Sequence, residues 1–194
     1  SPTTITIEDL AKPLTYPVEA FLSRDYALAE KEKLWPKVWQ VAARVEELPD
    51  VGDWLTYDIC DDSIIVIRVA PDRLKAYHNV CPHRGRQLVD VPEGAHSAKG
   101  NKRRNFICGF HGWTFDIEGN NSYILDPQDW QGALTPDCTH LSEVKVDLWG
   151  GWIWIHMDLD AEPVTDFLGD AGRILSYFEM DKMRYKWRKW VVYP

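Results

Sequence analysis

Two short loops, Cys81-Pro82-His83-Arg84-Gly85 and Cys108-Gly109-Phe110-His111-Gly112-Trp113, constrain this chain more than anything else in its sequence. Each supplies one thiol and one imidazole, and each carries a glycine shortly after its histidine. Glycine permits the tight turn and close backbone approach that a bulky inorganic centre requires. A Cys₂His₂ set can hold one Zn²⁺ tetrahedrally, but common zinc arrangements keep both Cys in one hairpin and both His on a helix. Here Cys and His are mixed within each loop. That order suits a binuclear [2Fe–2S] centre with both thiolates on one iron and both imidazoles on the other. Cys81, His83, Cys108 and His111 are the expected metal and cofactor ligands, with structural zinc as the alternative.

The remaining sequence has to supply a scaffold for two such loops. At 194 residues, 45% of them hydrophobic, the chain is long enough for one large domain, or a domain with a satellite lobe. A formal net charge of −8 argues against a general nucleic-acid binder. No apolar run reaches the length of a membrane helix, and Ser1 to Leu10 lacks the basic and apolar regions of a secretory signal. Cys60 and Cys138 read as spare thiols, which points to a reducing, cytoplasmic location. The ten Trp, including Trp149, Trp152, Trp154, Trp187 and Trp190, read as packing residues.

Along the chain, Ser23 is a fitting N-cap for a helix over Arg24 to Leu34, where Pro36 marks an end or kink. Ala27, Leu34 and Val38 recur at helical spacing and assign that helix a packing role. Short strands are expected at Val38 to Ala42, Trp54 to Ile59, Ile64 to Val69, Leu74 to His78, Arg104 to Ile107, Trp113 to Asp116, Val144 to Leu148 and Trp152 to His156. Turn residues such as Gly52-Asp53, Asp61-Asp62 and Pro71-Asp72 separate them, as in an antiparallel sandwich or barrel. A helix follows Pro163, and Arg184 to Tyr193 alternates basic and aromatic residues like an amphipathic strand.

The motifs Cys-Pro-His-Arg-Gly and Cys-Gly-Phe-His-Gly-Trp resemble those of the Rieske non-haem iron oxygenases, in the N-terminal domain of their alpha subunit. Asn79, the run Trp113 to Gly119 and Leu148 to Ile155 share the resemblance, which extends from about Tyr16 onward. It implies a mostly β fold: an antiparallel β-sandwich with a small cluster-binding subdomain and flanking N- and C-terminal helices. The expected divisions are a helical extension at 1–37, a Rieske domain at 38–160 with cluster loops in 79–116, and a helix with the start of a further domain at 161–194.

The resemblance also implies function. Electrons would arrive singly from a ferredoxin or a flavin/iron–sulfur reductase and pass to a mononuclear Fe(II) site in a neighbouring subunit of a homotrimer, with or without beta subunits. That iron would activate O₂ to hydroxylate or demethylate an organic, often aromatic, substrate. Its two-His-one-carboxylate site belongs to a C-terminal catalytic domain expected beyond Pro194, so no catalytic residue is expected within 1–194. Arg84, Gly109 and Trp113 leave no place for an extra loop disulfide, which assigns the chain to the lower-potential branch. A stand-alone Rieske ferredoxin is the alternative. The stretch Asp90 to Asn105, with Lys99, Lys102, Arg103 and Arg104, reads as a solvated loop, with a docking surface for an acidic electron donor as the alternative. His96, His140 and His156 read as surface or packed residues.

Overall fold

The computed structural model describes residues 15–187, 189 and 191, so Ser1 to Leu10 and Trp190 lie outside the described residues. The chain divides into two compact units after Trp35. In the first, Glu19–Leu22 forms one helical turn (α1) and Arg24–Lys33 a helix (α2). The Ser23 hydroxyl caps α2 by accepting from the Asp25 amide at 3.1 Å. No residue of α2 is buried.

The second unit is antiparallel β. Its strands are β1 (Gln40–Arg44), β2 (Trp54–Ile59), β3 (Asp62–Ala70), β4 (Arg73–His78), β5 (Lys99–Gly100), β6 (Asn105–Ile107), β7 (Thr114–Asp116), β8 (Asn121–Tyr123), β9 (Glu143–Trp149) and β10 (Trp152–His156). Seven form one sheet in the order β1-β10-β9-β4-β3-β2-β5, and β6-β7-β8 form a second. The large sheet curls: Tyr57 on β2 donates its hydroxyl to Gln40 on β1 at 3.1 Å, although five strand positions separate them in sheet order.

Strand β3 explains the layering. Ile64, Ile65, Val66 and Ile67 have no exposed surface, each side chain worth about 1.5–3 kcal/mol of burial. Successive side chains point to opposite faces. Ile64 and Val66 join Leu55, Ala76, Val144, Ile153 and Ile155 in one core. Ile65 and Ile67 join Trp54, Tyr77, Phe106, Trp113, Phe115 and Leu141 in the other, together with Cys81 and Cys108. The small sheet therefore packs on the β2-β3-β4 layer. Its residues are an excursion between β4 and β9, which are themselves paired through Ala76↔Val144 and Tyr77↔Glu143.

The contact between the two sheets is close at Gly119. A Cβ there would lie 2.5 Å from Tyr77 Cε1, and the residue sits at φ +85°. Tyr77 is fully buried, and its hydroxyl donates to the Ile117 carbonyl at 3.1 Å, so the ring has nowhere to retreat. Gly119→Ala is expected to cost about 2–4 kcal/mol, combining left-handed backbone strain with overpacking. The check is a fall in the urea midpoint at constant m.

After β10, helix Val164–Leu175 is broken at Gly169 (φ 47°, ψ −127°). Buried Arg44 then fastens the chain back to the sheet. Its guanidinium donates to the carbonyls of Gly150 (2.9 Å), Met180 (3.2 Å) and Met183 (2.6 Å) and lies 4.9 Å from the Trp152 ring centroid. The Glu46 carboxylate accepts from the Tyr185 amide. The strand expected over 184–193 is not formed by its described members, because a side chain rather than a neighbouring strand takes the Tyr185 amide. Residues 188, 190, 192 and 193 of that span lie outside the described residues.

Candidate metal centre

Both Cys/His loops follow a strand and close on themselves in the same way. The Cys81 carbonyl accepts from the Gly85 amide (2.9 Å), and the Cys81 amide donates to the Arg86 carbonyl (2.8 Å). In the second loop the Cys108 carbonyl accepts from Gly112 (3.0 Å), and the Cys108 amide donates to Trp113 (2.8 Å). Gly85 and Gly112, each four residues after its Cys, have φ +70° and +71°, a conformation open to glycine at little cost. The shared Cys-x₃-Gly spacing was the sequence signal for this equivalence. It holds although the His falls two residues after the first Cys and three after the second.

The loops bring the expected ligands together in two pairs, sorted by donor type. Cys81 and Cys108 are buried, 1% and 3% exposed, and belong to the same core. Burial pushes the Cys81 thiol up to about 11; the backbone amides of His83 and Arg84 pull against that, while the neighbouring Cys108 thiol adds to it. His83 and His111 are half-buried, with their Nδ1 atoms 3.1 Å apart. Partial burial, and then the adjacent His111 and Arg84, hold His83 below the ordinary imidazole value. With Nδ1 facing Nδ1, each ring keeps Nε2 on its far side. The two rings help line a cavity of about 270 Å³ with Trp113, Leu125, Asp126, Asp129 and Trp130.

This donor set fits a two-iron cluster. Thiols pair with thiols in the interior and imidazoles with imidazoles at the rim.

The support around the site was only partly visible in the sequence. Asn79, 2% exposed, donates from Nδ2 to the Val89 carbonyl (2.7 Å) and the Ser63 hydroxyl (3.1 Å). Its Oδ1 accepts from the amides of Leu88 (3.1 Å) and Val89 (2.9 Å). The first loop is thereby tied to the chain that follows it. Trp113 stacks on His83 (5.0 Å, 8°), and Phe110 stacks on His111 (3.9 Å, 29°).

The solvated loop expected over 90–105 is only partly so. Lys99 and Gly100 pair with β2, and the Arg103 guanidinium lies over Trp54 (4.4 Å) and Phe106 (4.9 Å). Lys99, Lys102 and Arg104 are exposed. His156 is a packed residue, accepting from the Asp158 amide at 3.0 Å and edge-on to Trp39; His96 is exposed. Cys60 and Cys138 are exposed free thiols. Among the described residues, no helix is long and apolar enough to cross a membrane.

A family model described as Rieske [2Fe-2S] domain matches residues 38–136, just over half of the chain. The carnitine monooxygenase oxygenase subunit of Escherichia coli K12 is 30% identical over 81% of this chain and 40% of its own length. The large oxygenase component of the naphthalene 1,2-dioxygenase system of Pseudomonas putida is 34% identical over 76% of this chain and 32% of its own. The structure of the apo form of a quaternary ammonium Rieske monooxygenase superposes with a TM-score of 0.73 at 28% identity, covering 84% of this chain and 45% of that one. Naphthalene 1,2-dioxygenase from Rhodococcus sp. gives 0.75 at 25% identity, covering 88% and 38%. The chain thus spans less than half the length of these relatives.

Proposed function

We propose, for a chain that belongs to the Rieske [2Fe–2S] domain family, that Cys81 and Cys108 bind one iron of the cluster and His83 and His111 the other. The observation that carries this is the sorting of donors: two buried thiols on one side, two imidazoles in Nδ1–Nδ1 contact on the other. The bound cluster supplies reversible one-electron chemistry at about −150 to +300 mV, the range of centres with two neutral imidazole ligands.

The chain's own residues divide the remaining work. The Cys81 and Cys108 side chains, enclosed in the core, keep water from the sulfur end. The half-buried His83 and His111 rings lie at the rim, where an electron partner can approach. Exposed Ile107 and Tyr123, in register through Thr114 across the small sheet, and exposed Phe110 and Leu125 provide apolar surface for such docking. The amides of His83 and Arg84 donate to the Cys81 sulfur and favour its ionised, ligating form.

We assign the domain to an oxygenase rather than to a stand-alone ferredoxin. Its similarity to oxygenase subunits runs well past the matched domain, to 81% of the chain. In the complete protein, a ferredoxin or reductase would donate the electrons, and a mononuclear iron in a neighbouring subunit would receive them for O₂ activation. The substrate is an organic molecule hydroxylated or demethylated there; relatives are named for carnitine, methanesulfonate and naphthalene. The divisions at 1–37, 38–160 and 161–194 belong to this reading, as does the cytoplasm, where exposed thiols such as Cys60 and Cys138 stay reduced.

Iron and acid-labile sulfide analysis with EPR of the reduced protein tests the cofactor. Equal iron and sulfide with a Rieske spectrum is expected, and zinc without sulfide would sink the assignment. His111→Cys adds a negative ligand and is expected to lower the midpoint potential by roughly 100 mV or more, toward the about −400 mV of all-thiolate centres. An unchanged potential would remove His111 from the ligand set.

A further inference from the structure

We infer that Trp130 is a positioning residue for His83, holding the imidazole through a T-shaped ring contact from a left-handed-flanked turn. The inference rests on the assignment of His83 as a ligand made above.

The two imidazoles have unequal surroundings. His83 stacks on the face of Trp113 and makes a T-shaped contact with Trp130, the latter at 5.4 Å and 77°. The two indoles also meet each other edge to face, at 5.7 Å and 68°, so three rings form one interlocked set. Edge-to-face and stacked rings at these separations attract beyond their area burial. His111 stacks on Phe110, which is itself exposed.

Trp130 owes its place to an uncommon backbone. It ends a 3₁₀ turn, Pro127–Trp130, flanked by Asp126 (φ 48°, ψ 55°) and Gln131 (φ 49°, ψ 35°). Both residues are left-handed without being glycine, a conformation that persists where surrounding structure enforces it. The turn is closed by its own amides, Asp129 to the Asp126 carbonyl (3.0 Å) and Gln131 to the Gln128 carbonyl (3.2 Å). At the site the Trp130 ring contacts His83 and Trp113. The same turn contributes Asp126, Asp129 and Trp130 to the cavity that the imidazoles line.

Trp130 on this account fixes the His83 ring plane and limits water at its outer edge. Two thiolates, two sulfides and two ferric ions sum to zero charge, so the reduced centre is negative. Water admitted beside His83 would stabilise that added charge and screen Asp126 and Asp129. Both effects raise the potential.

The test compares wild type, Trp130→Ala, Trp130→Phe and Trp154→Phe, each with its cluster, by EPR of the reduced state, midpoint potential and thermal unfolding. Trp130→Ala is expected to raise the potential and shift the g values, with Trp130→Phe restoring most of both. Trp154→Phe, in the Trp149–Trp154 pair, is expected to lower stability with potential and g values unchanged. If Trp130→Ala loses stability but keeps wild-type potential and g values, the positioning role is overturned while the ligand assignment stands. Should Trp130→Ala fail to fold, Trp130→Leu takes its place and must show the same shifts. A wild-type protein without a Rieske signal overturns the ligand assignment itself.

Discussion

Cys81→Ser is expected to yield protein without acid-labile sulfide, without visible absorption and without a Rieske EPR signal. Serine keeps the shape of the side chain but puts a hydroxyl where iron requires a thiolate, since it is the ionised sulfur that ligates metal. Nothing nearby can substitute. Of the four cysteines, Cys60 and Cys138 are exposed, and only Cys108 shares the core with Cys81. Cys60→Ser provides the matched control, with full iron and sulfide content expected. The two loops touch through their imidazoles (3.1 Å) and lie far apart in sequence, so losing the cluster also removes a cross-link between them. Thermal unfolding should start at lower temperature in the Cys81 variant and be unaffected in the Cys60 variant.

Asn79→Ala is expected to be the most damaging change outside the ligands, at about 3–5 kcal/mol. The side chain makes four hydrogen bonds in a buried site. Its removal strands the amides of Leu88 and Val89 and the Val89 carbonyl, at about 1–3 kcal/mol for each buried group left unpaired. Urea unfolding should show a lower midpoint at constant m, and iron content should fall with it, because residues 88–89 no longer brace the loop that begins at Cys81. Full iron occupancy at an unchanged midpoint would show that the loop holds its shape without Asn79.

The strands were legible where hydrophobic alternation and turn residues agree. Trp54–Ile59 and Trp152–His156 fall where the sequence places them, because an Asp-rich turn or a Gly pair bounds each. The first strand begins two residues later than expected, at Gln40, since Trp35–Lys37 continues as a 3₁₀ turn beyond α2. Lys99–Gly100 and Asn121–Tyr123 carry no apolar alternation and become strands only because a partner strand lies beside them. Cys and His spacing marked the four candidate ligands, yet their sorting into thiol and imidazole pairs is a tertiary fact. Trp130 had no local signal at all: its contact with His83 spans a sequence distance that no motif encodes.

Strand β3, buried on both faces, has a consequence for the protein before its metal arrives. Ile65 and Ile67, with Trp54 and Tyr77, are covered by the loops and the small sheet. If that excursion opens, the curled sheet keeps its own core and its β4–β9 pairing, but it bares a row of large apolar side chains. A cluster bound between the two loops would hold that cover in place, so iron-depleted protein is expected to self-associate before it unfolds, as light scattering through a thermal scan would show.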